Sequence, residues 1–69
     1  MVKVNGQLQL NPTSGKASGS LFADNKNDVS PDMSIQGLPD GYEMDWGSSV
    51  ITADGELAFL KSDGTWNWT

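Results

Sequence analysis

Apolar and polar residues alternate with a period of two at both ends of the chain. Val2, Val4, Leu8 and Leu10 occupy even positions, with Lys3, Asn5, Gln7 and Gln9 between them. That is the period of a strand buried on one face. Asn5-Gly6 interrupts the pattern. A two-residue turn there would set Val4 opposite Gln7 and Lys3 opposite Leu8, mixing polar and apolar on each face. A single strand over 2–10 keeps the apolar set together, with any irregularity taken up as a bulge at Gly6.

The second half is divided by three Asp-Gly pairs, Asp40-Gly41, Asp54-Gly55 and Asp63-Gly64. Tyr42, Met44 and Trp46 alternate with Glu43 and Asp45. Val50-Ile51-Thr52 is β-branched throughout, and Leu57 to Lys61 and Trp66-Asn67-Trp68 follow. Asp-Gly between such runs predicts two-residue hairpin turns. With that turn at Asp54-Gly55, Thr52 faces Leu57 and Val50 faces Phe59. At Asp63-Gly64 it sets Lys61 opposite Trp66 and Phe59 opposite Trp68. One face then collects Val50, Thr52, Leu57, Phe59, Trp66 and Trp68. The competing turn, type I followed by a glycine bulge, sets Leu60 across from Trp66 and Phe59 across from Asn67. It segregates the faces less well, so the two-residue form is the expectation. Pro39 favours the first central position of a type I turn, which points to a three-residue loop with Gly41 as the bulge; either form predicts a hairpin at Asp40-Gly41.

Residues 11–20 contain Ala17 as their one apolar side chain and are rich in Gly, Ser, Asn and Pro, which predicts a flexible loop or linker. Leu21-Phe22-Ala23 is an apolar island before the polar run Asp24 to Asp28. Ser30-Pro31-Asp32 has the composition of a helix start, with Gly37 as its stop. Met33 and Ile35 equally fit alternate positions of a strand, which we favour. The expected fold is a single mostly β domain over 1–69, a small antiparallel meander of about five strands, with room for one short helical turn near 30–36.

Composition narrows what such a domain does. The chain has 69 residues, nine Asp and Glu against four Lys, and no His or Cys. A domain this short is marginal unless stapled, and disulfides and thiolate or imidazole metal sites are excluded. Association with another chain is the remaining way to enlarge the core. A net charge of −5 argues against nucleic acid and against an anionic membrane surface. The longest apolar stretch, Leu57 to Leu60, is far below a membrane span, and the N-terminal residues lack the blocks of a secretory signal, so synthesis in a cytoplasm is expected.

No catalytic pattern emerges. Glu43, Asp45, Asp54 and Glu56 lack the cleft that raises a catalytic carboxyl's pKa, and Ser48 and Ser49 have no His to activate them. The run Asp24 to Asp28 places Lys26 where a calcium loop needs a ligand. A non-enzymatic protein without cofactor or metal is therefore expected. The aromatics remain: Trp46, Phe59, Trp66 and Trp68 are the candidate partner-binding residues, serving as core, as hot spots for a partner protein, or as platforms for sugar rings.

The segment from Gly37 to Met44 and the ending from Phe59 to Trp68, with its Asp63-Gly64-Thr65-Trp66 element, resemble small proteins of bacteriophage and prophage structural gene blocks. The ending is also similar to short β repeats of virion fibres and tail-associated proteins. The resemblance spans residues 21–69. It implies a virion-associated β-protein that binds copies of itself or other virion proteins, made in the bacterial host cytoplasm and carried on the virion. It implies no catalytic residues. A small carbohydrate- or receptor-binding module using surface tryptophans is the alternative.

Overall fold

The even-numbered apolar residues of the N-terminus fold as one strand, β1 (Val2–Asn11), in the computed structural model, which describes residues 1–69. It pairs antiparallel with β2 (Lys16–Ala23), from Val2 opposite Ala23 to Asn11 opposite Lys16. The register shifts between Asn5 and Gln9, where Gly6, Gln7 and Leu8 face Gly19 alone. The expected bulge is there. Gly6 takes φ +88°, and a Cβ on Gly19 would lie 2.8 Å from Leu8 Cδ2. The side chain of Leu8 thus fills the space that the absent side chain of Gly19 leaves.

The loop expected over 11–20 shrinks to a turn at residues 12–15, closed by the Gly15 N–H donating to the Asn11 carbonyl at 2.9 Å. Lys16 to Ser20 are strand. Their small residues reflect crowding: Ala17 is buried beneath the neighbouring strands, and Gly19 accommodates Leu8.

The remaining strands are short: β3 (Ile35–Gln36), β4 (Glu43–Met44), β5 (Ser49–Thr52), β6 (Leu57–Leu60) and β7 (Trp66–Trp68). The mostly β expectation holds, as a seven-stranded mixed sheet in the order β3-β1-β2-β5-β6-β7. β3 runs parallel to the start of β1, β4 parallel to the start of β2, and β5 parallel to its end. The hairpin expected at Pro39-Asp40-Gly41 does not form. The Tyr42 N–H donates to the Pro39 carbonyl at 3.2 Å, closing a turn, but the flanking two-residue strands complete the edges of β1 and β2 instead of pairing together. Residues 30–33 make a turn, and the single helical element is a 3-10 turn at Lys26–Asp28.

The last two turns are the bulged form. Type I′ turns need positive φ at both central residues, and only the glycines adopt it, Gly55 at 91° and Gly64 at 87°. The Gly55 N–H donates to the Thr52 carbonyl and the Gly64 N–H to the Lys61 carbonyl, each at 3.0 Å. The acids hold this shape through their side chains. Asp63 Oδ1 accepts from the Thr65 N–H (3.0 Å) and hydroxyl (2.6 Å). The Thr52 hydroxyl donates to Asp54 Oδ1.

This corrects the expected register by one residue. Val50 faces Ala58, which faces Trp68; Leu60 faces Trp66; Phe59 lies between Ser49 and Asn67. The buried row is Val50–Ala58–Trp68, and Phe59 moves to the opposite face. The core is Val2, Leu21, Ala23, Val50 and Ala58, with Val29, Met33, Ile35, Met44, Trp66 and Trp68 packed against it. Ser48 is buried too, its hydroxyl accepting the Gly19 N–H at 3.3 Å. No buried side-chain polar atom lacks a partner.

Candidate association surface

One side of the sheet packs against the segment that carries Val29, Met33 and Ile35; the other has no covering layer. On the open side, the register brings Phe22 beside Ile51 and Ile51 beside Leu57, with Phe59 diagonal to Ile51. Ile51 is 43% exposed and Phe59 44%. Phe22 and Leu57 are half-buried. Polar residues rim this cluster: Ser20 and Ser49, whose hydroxyls are 3.3 Å apart, Asn67, and Lys3, whose ammonium lies 5.6 Å from the Phe22 ring centre.

The structure separates the four aromatic candidates. Trp66 and Trp68 share the inner face and are half-buried against the core. The Lys26 ammonium lies over the Trp68 ring at 5.2 Å, so this ring is not a free platform. Phe59 is on the outer face. Trp46 stands apart in the turn between β4 and β5, 66% exposed, its backbone N–H donating to Asp45 Oδ1 at 2.9 Å. Phe22 and Leu57 were missed as surface residues. Their signal was present: with the bulged turn, odd positions 51, 57 and 59 fall on one face.

The inner face leaves a cleft of about 280 Å³ walled by Met33, Ile35, Tyr42, Met44 and Trp66. At its rim Lys16 forms an ion pair with Glu43, which holds the Glu43 carboxyl below the ordinary range and raises the lysine. Asp63 is lowered by the Thr65 hydroxyl and N–H bonds described above. The Met1 ammonium sits between Asp24 Oδ2 (3.1 Å) and Asp28 Oδ2 (2.6 Å), so both acids of the polar run serve a structural contact. These carboxylates are all engaged locally, and no three acidic side chains gather as metal ligands.

No helix is long and apolar enough to cross a membrane. Comparison with protein-family models, curated proteins and solved structures finds no match.

Proposed function

We propose that this chain is a non-enzymatic assembly protein that works by protein–protein association, on the pattern of the small virion-associated proteins its sequence resembles. The observation that carries the reading is the outer sheet face. Phe22, Ile51, Leu57 and Phe59 form a contiguous apolar cluster with a polar rim, the arrangement of an interface core waiting for its partner. Covering it removes apolar area from water at about 25 cal/mol per Å². The partners are copies of the chain or other virion proteins, and the site of action is the virion. The carbohydrate reading retains Trp46 as its most exposed ring.

The test is to probe purified virions of the host strain for the chain, with Phe59→Ser and Ile51→Ser variants in parallel. The wild-type chain is expected in the particles, and the variants are expected to be folded but lost from them. Absence of the wild-type chain from virions, with a glycan-induced shift in Trp46 fluorescence, would overturn the assembly reading in favour of the alternative.

A further inference from the structure

The sheet lane beside β1 is filled only at its start. β3 pairs with Val2 and Lys3, then the chain turns away at Gly37, where φ is +95° and a Cβ would come within 3.2 Å of Val4. Beyond that point β1 continues to Asn11 with β2 on one side and no strand on the other. The main-chain groups on that side of Gln7–Asn11 are a ready template for another strand. Beside them lies a furrow of about 310 Å³ lined by Val4, Leu8, Leu10 and Pro39, and Leu10 is 46% exposed.

Natural sheets guard such edges with charge or proline. This one has neither, since residues 4–11 contain no charged residue and no Pro. The charge distribution says what fits. All nine acids lie after residue 23, and residues 1–23 carry only Lys3 and Lys16. In a chain of net charge −5, the β1 edge is a surface through which two copies meet without setting acid against acid, since no residue of β1 is acidic. The side-chain pattern is also its own complement. In an antiparallel pair centred on Gln9, Leu8 faces Leu10 of the other copy, Gln9 faces Gln9, and Gln7 faces Asn11. A shift of one residue would set leucine against glutamine.

We propose that two copies of this chain pair antiparallel through Gln7–Asn11 of β1, about a two-fold axis at Gln9, joining two sheets into one. This rests on the association reading and adds the surface, partner and register. The axis lies perpendicular to the joined sheet, so the two outer faces with Phe59 stand on the same side. The free furrow at each edge closes over four leucines, two from each copy.

Sedimentation velocity of the full chain across a wide concentration range tests it. The wild type is expected to dimerise. Gln9 is exposed, so Gln9→Lys and Gln9→Glu are expected to keep wild-type circular dichroism while each loses the dimer, because like charges then meet on the axis. Mixing the two variants is expected to restore a dimer, seen as a heterodimer by native mass spectrometry. Phe59→Ser is expected to leave the dimer intact. A wild type that stays monomeric at its highest soluble concentration overturns the edge pairing. So does a dimer that survives Gln9→Lys but is lost in Phe59→Ser; that result would leave the association reading standing on the outer face.

Discussion

Phe59 and Leu21 occupy neighbouring regions of the same sheet on opposite faces, and truncating each to alanine separates the two turn registers. Leu21 is fully buried, between Val4 and Val50. Leu21→Ala removes its buried methyl groups and leaves a cavity, at a cost of about 3 kcal/mol. A chain of 69 residues is held by roughly 3–10 kcal/mol in total, so the loss is a third of its stability or more. Phe59 is 44% exposed and faces Ser49 and Asn67. Its truncation forfeits cross-strand contact but opens no cavity, and costs about 1 kcal/mol. Urea unfolding followed by tryptophan fluorescence reads both. With a slope of about 1 kcal/mol per M, Phe59→Ala lowers the midpoint by about 1 M, and Leu21→Ala lowers it by about 3 M or abolishes the folded baseline. In the two-residue register Phe59 would sit in the core opposite Val50. A Phe59→Ala cost equal to that of Leu21→Ala would therefore refute the bulged turns.

Gly64→Ala is expected to cost about 1 kcal/mol from its positive φ alone, since a Cβ there meets nothing within 4 Å, whereas Gly19→Ala should cost more because its Cβ meets Leu8 at 2.8 Å; thermal unfolding of the pair ranks them. Glu43 and Asp63 both have lowered pKa values in the folded chain, so their stabilisation is present above the ordinary carboxylate pKa of about 4 and is lost as pH falls through their folded values. Glu43→Gln with Asp63→Asn is expected to flatten the acid limb of a stability–pH curve, and an unchanged acid limb would count against both contacts. Trp46→Phe is expected to remove the most acrylamide-quenchable emission, because Trp46 is 66% exposed while Trp66 and Trp68 pack on the core.

Strands with a clean alternation were legible from sequence: β1 with its bulge, and the β-branched and aromatic runs of β5 to β7. Turn type was not, because Asp-Gly serves both hairpin forms. The deciding feature is one residue further out. Thr52 and Thr65 supply hydroxyls that bond Asp54 and Asp63, and this favours aspartate in the last right-handed position before a left-handed glycine. That single-residue difference moved Leu57 and Phe59 out of the core face and onto the face of Ile51. The parallel pairings were also hidden. They join residues such as Val2 with Ile35 and Leu21 with Val50, and strands of two to four residues carry too little pattern to announce distant partners. Small residues in Lys16 to Ser20 read as a loop, although they belong to a central strand in which Ala17 is buried and Gly19 makes room for Leu8.

The seam between β2 and β5 has a consequence for how the molecule comes together. On one side of it β1 and β2 close locally through the turn at 12–15; on the other, β5, β6 and β7 close through their own short turns. The bonds that join the two units, such as the Ala53 N–H to the Ala23 carbonyl at 3.0 Å, connect parts of the chain separated by the whole excursion from Asp24 to Ser48. Closing that excursion costs chain entropy before any seam contact repays it. The domain is thus two locally closed hairpin units that share one core across the seam. In native-state hydrogen exchange the amides across this seam, which joins the fully buried Leu21 and Val50, are expected to exchange only with global unfolding, because neither hairpin unit keeps a core once it opens.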